Sequence, residues 1–272
     1  MRVIANTILL LAVVLWINPV QAGYISISTG ASDCLIIEDS CPLALSIANR
    51  GDEAAYDVLL TFLLEEGFET ESATVGTLEV NATSQNMIKI SKTKSKLPGT
   101  HRGVLLIEYK DANSHKFSAI VPFKIIYKQG TESPISGSME GVKLEGKKPQ
   151  TLRLRMKNSE DLAHKANVEL FISKELTTKD SRRKMEVEIP PSGEEIVEFE
   201  INSLSALPGS TYPVLALISH ENDGKFYSTF ARGVVRVEKE SLVFSEGKML
   251  VVLAILLVAF IFFQVKDIKW KR

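Results

Sequence analysis

The chain has 272 residues, 24% of them charged, with a formal net charge of −1 at pH 7. That length leaves room for about two ordinary domains once the ends are removed. The balanced charge gives no sign of nucleic-acid binding, which would need a basic face.

Arg2 precedes an apolar run from Ile8 to Ile17, then Pro19 and the small-x-small triplet Val20-Gln21-Ala22. This pattern predicts a signal peptide over 1–22 cleaved before Gly23, with an uncleaved anchor as the alternative. Either way the following segment is exported.

From Gly23 to Lys128 short alternating apolar runs are separated by turn residues. Leu43, Leu45 and Ile47 alternate with small partners and stop at Asn49-Arg50-Gly51-Asp52. Val58, Leu60, Phe62 and Leu64 alternate next, and Val104–Tyr109 with Phe117–Tyr127 predict a hairpin around Asp111–Ser114. Helical periodicity is nowhere sustained, so 23–128 is predicted to be a β-sandwich. Residues 129–138, QGTESPISGS, lack periodicity and predict a linker. Alternation then resumes at Leu152, Leu154 and Met156, predicting a second sandwich over 139–238. The fold class is therefore all-β: two tandem immunoglobulin-like sandwiches, followed by one transmembrane helix.

Residues 239–248 form a tether that spans at most about 33 Å when extended. It predicts the second domain close to the bilayer and the first projecting outward. Met249 to Val265 is a run without charge whose seventeen residues give roughly 25 Å of helix, the low end of what spans a bilayer core. Lys248 and Lys266 can snorkel at its two ends. The tail 266–272 carries Lys266, Lys269, Lys271 and Arg272, and Trp270 suits the membrane interface. The positive-inside rule places this tail in the cytoplasm and the N-terminus outside.

The second half repeats the first at an offset of 110 residues. Leu97-Pro98-Gly99-Thr100 returns as Leu207-Pro208-Gly209-Ser210, and Val104-Leu105 as Val214-Leu215. Asn49 to Val58 matches Asn158 to Val168 with one inserted residue. Each Pro-Gly pair fits the middle of a type II turn, with the preceding leucine plugging the end of the core.

The repeated unit has an apolar strand, then Asn49-Arg50-Gly51, then Ala55-Tyr56-Asp57-Val58, and later the Pro98-Gly99 turn. It resembles the CARDB-like group of immunoglobulin-like sandwiches, the cell-adhesion-related domains of surface proteins. The lumenal domain of the translocon-associated protein beta subunit is similar in the same strand. The second copy departs from the pattern, reading Asn158-Ser159-Glu160. The resemblance implies adhesion, surface-layer or membrane-complex accessory roles and generally no catalysis.

Cys34 and Cys41 are the only cysteines. In an oxidising compartment they form a disulfide closing a small loop, stabilising by roughly 2–3 kcal/mol on the loop-entropy argument. His101, His115, His164 and His220 show no metal-ligand spacing and read as exposed turn residues. Asp111, Asn113, Glu221, Asn222 and Asp223 could ligate Ca²⁺ but are equally what hairpin loops require. Asn81-Ala82-Thr83 is the one N-glycosylation pattern. No nucleophile elbow, Walker loop or dinucleotide fingerprint occurs. No catalytic residue, cofactor or metal is therefore expected. Between Gly23 and Lys248 there is no tryptophan, which weighs against a sugar-binding platform.

Two functions compete. One is a non-enzymatic accessory or docking subunit of a membrane or cell-surface complex, with the bilayer and a protein as partners. The other is a membrane-anchored adhesion or ligand-binding module engaging glycan or protein.

Overall fold

The computed structural model describes residues 23–146, 148–178 and 183–238. The predicted signal peptide, tether, span and tail, with Lys248, Lys266 and Trp270, lie outside the described residues. No helix among the described residues is long and apolar enough to cross a membrane. The fold is all-β, with sandwich-like sheets.

The first half contributes β1 (Ile27–Ala31), β2 (Cys34–Ile36), β3 (Ser40–Asn49), β4 (Ala55–Leu63), β5 (Phe68–Glu69), β6 (Ala73–Leu78), β7 (Thr83–Lys92), β8 (Gly99–Lys110) and β9 (Lys116–Tyr127). The second contributes β10 (Ile135–Met139), β11 (Val142–Leu144), β12 (Gln150–Asn158), β13 (His164–Ile172), β14 (Leu176–Thr178), β15 (Lys184–Ile189), β16 (Glu194–Ser203), β17 (Thr211–Asn222) and β18 (Lys225–Val237). β10 begins inside the stretch read as linker.

The halves are wired alike. One sheet runs β1-β3-β7-β5, matched by β10-β12-β16-β14. The facing sheet runs β6-β4-β8-β9-β2, matched by β15-β13-β17-β18-β11. In each half the short second strand pairs in parallel with the last one. Two separate cores result, one around Leu43, Leu60, Leu105 and Ile107, the other around Leu152, Leu170, Val214 and Ala216. Alternation drives the local structure. On β12, Leu152, Leu154 and Met156 point inward, while Arg153 and Arg155 face out to pair with Glu198 and Glu194. Cys34 and Cys41 are joined by a disulfide, with Cα atoms 5.7 Å apart, and both are buried in the first core.

The repeated asparagine has a structural job. Asn49 is wholly buried; its Nδ2 donates to Glu53 O (2.7 Å) and Leu78 O (3.1 Å), and its Oδ1 accepts from Gly51 N (3.0 Å). Asn158 repeats this with Leu162 O, Pro190 O and Glu160 N. One side chain thus closes the loop after its own strand and ties it to the C-terminal end of the sixth strand of the unit, at Leu78 in the first and just past Ile189 in the second. The bracket itself uses only the N–H of Gly51, but a Cβ at this position would stand 2.2 Å from Tyr24 O, so the first copy needs its glycine where the incoming chain passes close by.

The register of the repeat differs from the letter match. Leu60 pairs with Ile107, and its counterpart Leu170 pairs with Ala216, all four lying in their cores. Ile107 therefore corresponds to Ala216, one residue off the 110-residue offset. A one-residue slip exchanges the faces of a strand. Accordingly Leu105 shares the core role with Val214, while Val104 and Leu215 face away from the cores. The two Pro-Gly pairs are not equivalent either. Gly209 has φ 85° and Ser210 N donates to Leu207 O, as a type II turn requires. Leu97 to Thr100 lacks that bond and serves a different contact, described next. Leu207 is 39% exposed and plugs no core.

Candidate functional site: the seam between the sandwiches

β8 and β17 are buried on both faces, from Gly103 to Ile107 and from Val214 to Ile218. Their second faces meet each other. Val104, Leu106 and Ile120 pack with Leu215, against Phe171 and Phe230. The unbroken apolar runs Val104-Leu-Leu-Ile107 and Val214-Leu-Ala-Leu-Ile218 were the available signal, since a strand covered on both sides loses alternation.

A polar lock closes one end of this seam. Phe226, beside the turn of the β17–β18 hairpin, donates its N–H to Pro98 O (2.9 Å) and pairs with Gly99. Its ring stacks on the buried His101 imidazole at 4.1 Å and 11°. His101 meets an acceptor at each ring nitrogen, Glu65 Oε2 at 2.9 Å and Leu97 O at 3.0 Å. Thr131, in the stretch read as linker, donates its hydroxyl to Phe226 O and exchanges hydrogen bonds with Thr100. Ser228 Oγ donates to Thr100 O, and Arg102 Nε donates to Ser228 O while its guanidinium lies over Phe230. The connection is therefore pinned to both sandwiches.

The other end is built around Tyr109, Phe117 and Glu175. Ser118 Oγ donates to the buried Glu175 carboxylate (2.8 Å), and Lys174 reaches Glu108 at 2.6 Å. Burial raises the Glu175 carboxyl pKa, opposed by the Ser118 hydrogen bond. Burial also pushes the Tyr109 hydroxyl up to about 12, helped by Glu175. The Tyr109–Phe117 stack divides two clefts of about 330 and 410 Å³. One is lined by Tyr24, Glu53, Leu207 and Tyr212, the other by Asp57, Lys110, Lys116 and Lys174.

These contacts orient the halves. The tip of each long hairpin lies at the base of the other: Phe226 at Gly99, and Phe117 beside Tyr212. The sandwiches thus lie side by side and antiparallel. The chain enters at Tyr24, whose N–H donates to Asp52, near the first hairpin's tip. It leaves at Val237 and Glu238, where Val237 O accepts from Gly209 N. Both places border the same cleft region, so both ends of the described chain emerge at one end of the molecule. This corrects the expectation that the first sandwich stands beyond the second.

The histidines also need correction. His115 is exposed, but His101, His164 and His220 are buried, at 0%, 4% and 2% exposure. Phe226, distant in sequence, covers His101, while Tyr227, the cross-strand partner of His220 in the β17–β18 hairpin, stacks on it at 4.9 Å. His164 lies 4.8 Å from His220 and pairs with Glu160. Among the described residues neither nitrogen of His220 has a hydrogen-bond partner. Burial, and then the neighbouring His164, lower its pKa from 6.5 to about 4, Glu160 opposing. A depressed histidine pKa contributes stability that is complete above the unfolded value of 6.5 and is lost as pH falls toward 4. At roughly 1.4 kcal/mol per pH unit the full depression would cost about 3.5 kcal/mol, and water reaching the ring reduces the loss to about 2–3 kcal/mol. Denaturant midpoints measured between those pH values should fall accordingly, and His220→Phe should flatten that slope.

Asp111 is absorbed by its own loop, accepting from Asn113 N, His115 N and His115 Nδ1. No group of three metal-ligating side chains converges among the described residues. Asn81 is exposed, in a turn with φ 60°.

No family model and no curated protein matches the sequence. Among solved structures, trypsin-activated alpha-2-macroglobulin from Escherichia coli is 11% identical over 79% of this chain and 18% of that one, with a TM-score of 0.34. The same protein activated by porcine elastase is 13% identical over 82% and 23%, with a TM-score of 0.32. A protein of unknown function from Porphyromonas gingivalis is 10% identical over 76% and 98%, with a TM-score of 0.30. The chain spans about a fifth of the macroglobulins it matches. These likenesses do not bear on its activity.

Proposed function

We propose that this chain is a non-enzymatic, single-pass membrane protein displaying two immunoglobulin-like, CARDB-like sandwiches outside the cytoplasm as a docking subunit of a membrane or surface complex. The apolar run 249–265 and its basic tail support the anchor. The split first strand, antiparallel on β3 as β1 and parallel on β9 as β2, supports the immunoglobulin-like reading. The observation that carries docking is the β2 edge. Among described residues β2 pairs with β9 alone, and it turns Leu35 outward at 52% exposure, with Ile37 beyond it at 68%. The matching edge β11 carries Lys143 at its centre, paired with Glu238. Lysine blunts an edge against further pairing, whereas exposed aliphatics leave it suited to strand addition. This edge lies at the end away from Tyr24 and Glu238, beside Tyr127 and Gly99.

A photo-crosslinker placed at Ile37 in intact membranes should capture a stoichiometric protein partner, identified by mass spectrometry. Recovery of the chain alone would move the reading to adhesion or ligand binding, for which the cleft lined by Tyr24, Tyr109, Phe117 and Tyr212 is the supporting feature. Protease added outside should remove the sandwiches and spare an epitope at Arg272; loss of that epitope would overturn the topology.

A further inference from the structure

We infer that the end of the molecule holding both ends of the described chain rests on the lipid surface, with the Leu204–Leu207 loop of the second sandwich as its contact. The inference rests on the membrane-anchor reading above. Its starting point is the antiparallel seam, which brings Tyr24 and Glu238 to the same end. Val237 closes β18 by donating to Ser210 O and accepting from Gly209 N, so the tether begins directly beside this loop. The loop turns apolar side chains to solvent: Leu204 is 69% exposed and Leu207 39%. Tyr24, 58% exposed, lies across the cleft from Leu207. Exposed leucines on one rim of the cleft and a tyrosine on the other suit the boundary between headgroups and acyl chains.

The loop is held as a platform. Leu204 N and Ser205 N both donate to Glu175 O, and Leu207 N donates to the Tyr212 hydroxyl. Three of the loop's four N–H groups are thereby bonded inside the protein, leaving the leucine side chains free to partition into lipid. Ten residues separate Glu238 from the apolar run, so the tether length allows contact without demanding it. Two sandwiches standing side by side would then share one footprint, and the β2 edge would face away from the bilayer. The seam would transmit any force on that edge to the lipid-facing end as one body.

The test uses the full chain reconstituted in phosphatidylcholine vesicles. Leu204→Cys and, separately, Leu207→Cys would carry a bimane label, with Leu162→Cys as the distal control (55% exposed, in the loop bracketed by Asn158). Brominated acyl chains should quench the label at 204 or 207 several-fold more than at 162, and aqueous iodide should show the reverse order. Iodide quenching at all three positions, in a chain that resists alkaline carbonate extraction, would overturn the lipid contact and leave the anchor standing. Protection at 204 from both quenchers would also overturn it, assigning the loop to the tether, a second copy or another protein. Release of the whole chain by carbonate would overturn the anchor and the lipid contact together.

Discussion

Asn49→Ala is expected to destabilise the protein by about 3–5 kcal/mol, although the residue touches no candidate cleft. The side chain makes three hydrogen bonds to backbone groups in a wholly buried position. Its removal leaves the Glu53 and Leu78 carbonyls and the Gly51 amide without partners. Each such orphan costs on the order of 1–3 kcal/mol, and water reaching the loop recovers part of it. Asn49→Asp should be at least as damaging despite its matching shape, since it turns an acceptor toward two carbonyls. Asn158→Ala should reproduce the loss, because Asn158 makes the same three kinds of bond. Denaturant unfolding of each variant measures this. A loss below about 1 kcal/mol for Asn49→Ala would show that the bracket is not what holds the loop.

The second large effect concerns the seam. Gly99→Ala should uncouple the two sandwiches. A Cβ at residue 99 would stand 2.0 Å from Phe226 O and 2.8 Å from its carbonyl carbon, so backbone must move. Such overpacking costs about 3 kcal/mol, and at this size would lower Tm by roughly 6–12 °C. Moving Phe226 also disturbs its stack on His101 and its bond from Thr131, which together lock that end. One cooperative transition should therefore split into two, visible by calorimetry. Gly209→Ala is the matched control. It strains a turn at φ 85° by about 1 kcal/mol but lies outside the lock, so the single transition should persist. Unsplit, unshifted unfolding of Gly99→Ala would mean that the sandwiches are not coupled through this contact.

Much of the local structure was legible in the chain. Alternation at Leu152, Leu154 and Met156 identified a strand and its buried face, because side chains of a strand point to opposite sides in turn. Turn residues at Asp111–Ser114 and at Asp223-Gly224 marked both long hairpins. The paired Asn49 and Asn158 marked a repeat even though their surroundings differ. These features depend on neighbours within a few residues or on a period of two.

What could not be read depends on surfaces that meet from far apart. His101 follows a Pro-Gly pair and looks exposed until Phe226 is laid over it. The letter match placed Val104 opposite Val214, but strand faces obey parity, and the pairing of Leu60 with Ile107 moved the register by one. The runs at Val104–Ile107 and Val214–Ile218 lack alternation, the mark of strands covered on both sides, but nothing in them says what covers them. By itself the sequence determined an all-β chain built of two related halves, since strand period and turn chemistry are local properties. Only the tertiary structure decided that these halves lie antiparallel, with their hairpins locked tip to base and both ends of the described chain together. That choice rests on shape and hydrogen-bond complementarity between two outer faces, and no periodicity within either face encodes it.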